Sequence, residues 1–376
     1  MGRPRYSLTL PVERTGIAVK LMLSAIVATP QKMHRIIFSL QFCSHHTPRP
    51  TLNHCLGVEW SISIVRKTFL SAIVVAGASV TLFVLNAQQP AGQPGKAAPK
   101  GGVQGRLTWF DRQGKVTGTS GEPGFYRTLM ISPDGERVAF ERADPQTQNR
   151  DIWLLEVASG KTTRFTSDPG WDAFPTWSPD GSRIIFTSNR GGVYDLYQKA
   201  SNGAGTEELF YKSSEGKGLT SWSPDGRFLT YYSLGQPTHV KLLATSGRAD
   251  RAPVPVVDPQ FTSITARFSP DGRWIVYNSN ESGTNEVSVR PFDPATGIPG
   301  TPVVLTKGGG RTPLWRGDGR EIFYLGQDGT VTAMEVNTAS GFKAGTPKPL
   351  FKAPEEVSFW DVAPDGGRFL MPVPAP

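Results

Sequence analysis

The tetrapeptide Ser-Pro-Asp-Gly recurs along the chain, and its spacing restricts the possible folds more than any other feature. Four identical copies begin at Ser132, Ser178, Ser223 and Ser269. Two altered copies, RGDG at 316–319 and APDG at 363–366, continue the series at the same period of about 46 residues. Six units of one length predict a repeat architecture in which each unit is one supersecondary element.

Each unit has the residue pattern of four short strands. In the second unit, the turn-forming segments SPDG, NRGG and SNGAG separate the strand-like segments FPTW, SRIIFTS, VYDLYQKA and EELFYKS. Four antiparallel strands in about 46 residues make one blade of a β-propeller. We therefore predict an all-β fold, a six-bladed β-propeller of four-stranded antiparallel blades, over residues 106–376.

The two ends of this region complement one another. The sixth unit supplies only two strands before the sequence stops, whereas residues 106–120 resemble the third and fourth strands of a blade. Pairing these segments closes the ring and leaves no exposed sheet edge at the seam. We expect the N-terminal strands to complete the last blade.

The repeated tetrapeptide is itself a turn sequence. Proline presets φ at the first central position, aspartate suits the next, and glycine adopts the positive φ that a Cβ would disfavour. The motif therefore predicts a hairpin corner between the first and second strands of each blade, and we do not interpret it as a ligand site.

The units TWSPDGSRIIFTSNRGGVYDLYQKA and RFSPDGRWIVYNSNESGTNEVSVRPF resemble the propeller repeats of TolB, a periplasmic protein, which are WD40-like. The phrases RLTWFDRQGK, DIWLLEVASG and WRGDGREIFYL are still more similar to the extracytoplasmic propellers of some large bacterial serine/threonine kinases. The resemblance covers residues 106–376 and implies a TolB-like propeller. Residues 1–67 contain no glycine-rich phosphate loop, HRD or DFG motif, so the resemblance implies the sensor or binding half without a kinase domain.

Three segments precede the propeller. Residues 68–87 form an uncharged apolar run behind Arg66 and Lys67, which is typical of a signal peptide or a membrane anchor. Both alternatives place the propeller in a periplasmic or extracytoplasmic location, the second with a tether through 68–87. We interpret 1–64 as a segment that is disordered or precedes the true start, 65–87 as the signal peptide or anchor, and 88–105 as a flexible linker.

The net charge of +8 comes mainly from the N-terminal segments, where residues 1–87 hold nine Lys and Arg against two acids. The propeller is close to neutral, which argues against a nucleic-acid partner.

Both cysteines precede the propeller, so no disulfide joins its blades. The Cys and His residues between Cys43 and Cys55 do not follow the spacing of paired metal ligands, and we predict no metal and no cofactor.

Catalytic motifs are absent from the sequence. No G-x-S-x-G occurs, and His239 is the only histidine after residue 54, so a Ser/His/Asp triad would have to use it. We predict a non-enzymatic binding protein. Two alternatives stay open: a propeller hydrolase or lyase with its site in the central channel, and a detached sensor module of a bacterial kinase system.

In a propeller, the first strand of each blade lines the central channel, and the residues just before this strand border one mouth of the channel. These residues vary between units. The candidate ligand-binding residues there are Tyr126, Arg127, Asp172, Phe174, Lys217, Arg311 and Phe359. Arg127 and Arg311 belong to blades separated by one blade, and a converging arginine pair holds a carboxylate or phosphate. We expect a monomer whose partner is a protein, a peptide or another cell-envelope ligand.

Overall fold

The computed structural model describes residues 102–246, 252–355 and 357–374 with their side chains, and the backbone of six strands before them. The chain divides into two compact units, Met1–Ala97 and Ala98–Pro376. The first contains a four-stranded antiparallel sheet in sequence order and a two-stranded hairpin. These strands are Arg5–Leu10, Ile17–Ile26, His34–Ser44 and Leu56–Ile64, then Val74–Ala76 and Ser79–Thr81.

The predictions for 1–64, 65–87 and 88–105 concern order, processing and flexibility, and they fall almost entirely outside the described side chains. The exception is the end of the predicted linker, because residues 103–105 belong to the strand Val103–Asp111. Among the described residues, no helix is both long enough and apolar enough to span a membrane. The predictions of a signal peptide or anchor at 65–87 and of a linker at 88–105 remain predictions.

The second unit contains six antiparallel blades in chain order. Blade 1 comprises the end of Val116–Ile131, then Arg137–Ala143, Arg150–Glu156 and Thr162–Arg164. Blade 2 comprises Asp172–Trp177, Arg183–Ser188, Asp195–Ala200 and Glu208–Tyr211. Blade 3 comprises Lys217–Trp222, Phe228–Ser233, Val240–Ala244 and Val254–Pro255.

In blades 4 and 5 the outermost strand is split in two. Blade 4 comprises Ser263–Phe268, Trp274–Ser279, Glu286–Asp293, Ile298–Pro299 and Val303–Val304. Blade 5 comprises Gly310–Trp315, Glu321–Gly326, Thr330–Asn337, Lys343–Ala344 and Lys348–Lys352. Blade 6 comprises Asp361–Val362, Arg368–Pro374, Val103–Asp111 and the start of Val116–Ile131.

The seam between the chain's two ends closes as predicted. Val103–Asp111 runs antiparallel to the last strand, with Asp111 opposite Arg368 and Gly105 opposite Pro374. Val116–Ile131 pairs with Val103–Asp111 through its first half and with Arg137–Ala143 through its second half. Blades 1 and 6 therefore share one continuous seven-stranded sheet. The all-β propeller fold is confirmed, and the strand pairing is consistent with six blades and with N-terminal strands in the last blade.

The tryptophans before the corners pack between blades. Trp177 of blade 2 shares a buried cluster with Ala139 and Ile152 of blade 1, and its Nε1 donates a hydrogen bond to the carbonyl of Met130 at 3.0 Å. Trp315 of blade 5 donates likewise to the carbonyl of Arg267 at 3.2 Å. These two rings therefore fix their own blades to the first strand of the preceding blade.

The SPDG segments form hairpin corners. At the second copy, Ser178 Oγ accepts the amide of Arg183 at 2.9 Å and donates to Asp180 Oδ1 at 2.6 Å. The amide of Gly181, whose φ is +68°, donates to the Ser178 carbonyl. Hydrogen bonds from the Ser178 hydroxyl and from the amide and hydroxyl of Ser182 lower the pKa of Asp180 to about 2. The polar groups of the motif are thus occupied within the turn.

Candidate ligand site in the central channel

The first strands of blades 1 to 5 each contain a β-bulge at the same place. At the bulge, the first strand contains one residue more than the second strand with which it pairs. The bulge lies, for example, between Ala173 and Thr176 in blade 2 and between Ile264 and Arg267 in blade 4. A bulge redirects the side chains that follow it and is frequent beside functional sites. The bulges therefore decide which residues of the first strands face the channel.

Three bulge residues adopt a left-handed backbone. Phe174, Thr265 and Thr312 each lie four residues before their corner, with φ of +52°, +56° and +48°. This region is unfavourable for side chains other than glycine, especially for β-branched threonine, and it is concentrated at functional sites. The strain recurs in blades 2, 4 and 5 at one level of the channel.

All six blades line a cavity of about 60 Å³ on the channel axis. At the level of the bulges its walls include Thr128, Phe174, Leu219, Thr265, Thr312 and Phe359. The lining is mostly apolar with hydroxyl groups between the apolar side chains, which is the usual composition of a binding pocket.

Arg127 brings three of the predicted residues together. Its guanidinium lies 5.2 Å from the ring centre of Phe174 and 5.4 Å from that of Phe359, on the two neighbouring blades. Its Nη1 is 3.7 Å from Glu141 Oε1, and its buried Nε has no hydrogen-bond partner. A cation between two aromatic faces gains cation–π energy from both. Arg127 is thus held at the channel between two rings.

Arg311 also contacts blade 6. Its Nη1 donates to the carbonyl of Val357 at 3.0 Å, and burial lowers the pKa of its guanidinium. No carboxylate pairs with it among the described residues. Arg127 and Arg311 therefore each have a separate contact on the blade between them, Phe359 for one and Val357 for the other.

The other three predicted residues lie inside the blades. Asp172 accepts two hydrogen bonds from Arg190 at 3.1 and 3.2 Å, and burial raises its pKa. Lys217 donates to Asp195, and the hydroxyl of Tyr126 donates to the carbonyl of Glu122. None of the three predicted residues has exposed surface. They precede the bulge, so their side chains point into the sheets instead of the mouth.

The sequence analysis missed Arg267 and Tyr232, which line the same cavity. Arg267 occupies the position two residues before the corner, where the other blades have the uncharged or acidic residues Met130, Thr176, Ser221, Leu314 and Asp361. When the six units are aligned on their corners, Arg267 is the one arginine at this position, and this difference is the signal by which the sequence could have identified it.

Residues 112–252 match the family model described as the TolB beta propeller domain. A protein described as TolB from Agrobacterium tumefaciens is 18% identical, with a TM-score of 0.55, covering 73% of this chain and 100% of that one. TolB from Acinetobacter baumannii is 14% identical, with a TM-score of 0.46, covering 95% of this chain and 80% of that one. No curated protein matches the sequence. Together with the strand topology, the match over residues 112–252 and the structure from Agrobacterium tumefaciens show that the chain has a TolB-like β-propeller fold.

Proposed function

We propose that this chain is an exported, non-enzymatic binding protein that holds a protein, peptide or other cell-envelope ligand at the channel mouth. The arrangement of Arg127 between Phe174 and Phe359 carries the proposal. Arginine and aromatic side chains are the residues most enriched where a protein interface contributes binding energy. A TolB-like propeller is a reasonable scaffold for this role, because its loops and channel mouth gather side chains from six blades.

The extracytoplasmic location is part of the proposal. It rests on the uncharged run at 68–87 behind Arg66 and Lys67, which suits either an export signal or an anchor. The ligand of the mouth would then be a component of the cell envelope, and the protein would act as a monomer.

The test is affinity capture from envelope extracts with the full chain and two variants. Arg127→Ala removes the cation between the rings, whereas Arg320→Ala removes an arginine that is 82% exposed at a corner. We expect one defined partner with the wild type and with Arg320→Ala, and binding at least about tenfold weaker with Arg127→Ala. Equal capture by all three proteins would exclude the mouth as the binding surface.

The enzymatic alternative makes a different prediction for the same proteins. A hydrolase or lyase in the channel would show reproducible turnover in a broad substrate screen, and Arg127→Ala or Arg311→Ala would abolish it. A sensor module would instead bind a separate kinase through the propeller.

A further inference from the structure

We propose that the interior of the channel contains a site for a single carboxylate group, centred on Arg267 and distinct from the mouth around Arg127. Arg267 lies on the first strand of blade 4, just beyond the bulge. It borders the cavity at the level of the bulges and also a second cavity on the side of the SPDG corners. Its side chain therefore borders both cavities.

The guanidinium of Arg267 has no partner among the described residues. Its Nε is buried without a hydrogen bond, and no carboxylate lies within ion-pair distance of it. Asp361 is the acid whose charge acts on it. The oxygens of Asp361 instead accept the amides of Ile131 at 2.7 Å and Val362 at 3.0 Å. The Arg267 side chain is partly exposed, and Asp361 acts on it only from beyond ion-pair distance, so an anion bound against the guanidinium would be stabilised.

The surrounding polar groups favour an anion. Thr265 and Thr312 line the same cavity, and within the described chain neither hydroxyl donates a hydrogen bond to a protein acceptor. Thr312 Oγ1 accepts from Trp360 Nε1 at 2.8 Å, which leaves its hydrogen for another acceptor. No aspartate or glutamate is among the residues that line this cavity. The cavity thus has unused donors and one guanidinium that makes no direct ion pair with a described residue.

The shape and walls of the cavity favour a carboxylate over other anions. A planar guanidinium matches the two oxygens of a carboxylate, and one positive charge balances one negative charge. Leu219, Leu314 and Phe359 supply apolar walls, and the volume of about 60 Å³ admits only a small group. The ligand is therefore a monocarboxylate with a short hydrocarbon part, either a free acid or an acidic group of the partner at the mouth.

The test uses butyrate as the probe and neutral butyramide and inorganic phosphate as comparisons. Calorimetric titration of the full chain should show binding of butyrate, and thermal unfolding should shift upward with its concentration. Butyramide and phosphate should bind at least about tenfold more weakly. Absence of butyrate binding, or equal binding of butyrate and butyramide, would overturn the proposal.

Two variants separate a binding role from a structural one. Arg267→Met should abolish butyrate binding in the folded protein. A lower melting temperature is also expected, because the variant leaves the buried Asp361 without the positive charge that acts on it. Butyrate binding that survives in folded Arg267→Met would overturn the proposal. Arg320→Met, on the exposed corner, should bind butyrate like the wild type.

A competition experiment identifies the source of the carboxylate. If butyrate weakens capture of the mouth partner, the carboxylate belongs to that partner; if it does not, the ligand is a free acid. The site does not depend on the proposed function. Should Arg127→Ala leave partner capture unchanged while Arg267→Met abolishes butyrate binding, the mouth proposal fails and the carboxylate site stands.

Discussion

The Nζ of Lys217 lies 2.8 Å from Oδ1 of Asp195, and neither side chain has more than 1% of its surface exposed. Lys217 begins the first strand of blade 3, and Asp195 begins the third strand of blade 2. Glu286, at the start of the third strand of blade 4, likewise accepts the amides of Gly308 and Gly309 before blade 5. An acid at this position therefore holds the connection to the next blade.

Removing one member of this pair should be costly. Lys217→Met leaves the Asp195 carboxylate buried without compensation, and we expect the free energy of unfolding to fall by about 3–5 kcal/mol. Urea denaturation measures the loss. Lys348→Met is the matched control, because its pair with Glu335 is about two-thirds exposed on both sides and should contribute less than about 1 kcal/mol. A similar loss of unfolding free energy in the two variants would show that the Lys217–Asp195 pair does not stabilise the contact between blades 2 and 3.

The second prediction concerns pH and Asp151, whose carboxylate is 2.7 Å from Arg164 Nη2. Burial is the largest cause that raises its pKa, the charges of Asp172 and Glu207 add to it and Arg164 opposes them, and the net result is a pKa of about 6. The folded state therefore binds this proton more tightly than the unfolded chain, whose aspartates titrate near about 3.9. Stability from the protonated form is complete below about pH 4 and is lost as the pH rises through about 6.

Comparison with Asp151→Asn isolates this contribution, because the other titrating groups are shared. A pKa rise of this size corresponds to at most about 3 kcal/mol, and solvent screening of the effects that raise it should reduce this to about 1–2 kcal/mol. We expect the wild type to lose that amount relative to the variant between about pH 4 and pH 7, measured by chemical denaturation. A difference that does not change with pH would refute the assignment.

The third prediction tests the corner. Gly181 has φ of +68°, and a Cβ added there would meet no atom within 4 Å. Gly181→Ala should therefore lower the free energy of unfolding by about 1–2 kcal/mol through backbone strain alone. Gly118→Ala also meets no atom within 4 Å but has no positive φ, and it should be neutral or slightly stabilising. Equal melting temperatures for the two variants would argue against the corner geometry.

The fourth prediction tests the seam. Phe369 on the last strand is fully buried and packs against Phe323, Phe351 and Trp360. Phe369→Ala should cost about 3–5 kcal/mol. Amide hydrogen exchange should increase first in Val103–Asp111, because that strand pairs with the altered one.

The control for the seam is Val304→Ala on the outer edge of blade 4, where the side chain is 45% exposed. It should change the free energy of unfolding by less than about 0.5 kcal/mol. If exchange in Val103–Asp111 is the same in both variants, the N-terminal strand does not depend on the seam.

The fold could be predicted because its signals are local. The corner at Ser178 needs only the fixed φ of proline, the acceptor of Asp180 and the positive φ of Gly181, all within four residues. Counting corners and incomplete units was then enough to predict six blades and the seam.

The site was predicted only in part. Arg127, Phe174 and Phe359 do meet, but Tyr126, Asp172 and Lys217 lie inside the blades. The three buried residues each lie six residues before their corner, ahead of the bulge, whereas Phe174 and Phe359 lie four residues before theirs. The sequence does not show the bulge that separates these positions, so the prediction treated them as one rim.

The sequence by itself determined the blade count, the corners and the strands that close the ring, because turn chemistry and alternation act between neighbouring residues. Only the tertiary structure decided which side chains face the channel. A β-strand turns successive side chains to opposite faces, so one bulge residue reverses every orientation beyond it. Arg267 consequently borders the channel cavity, and Lys217, on the other side of a bulge, lies between two blades.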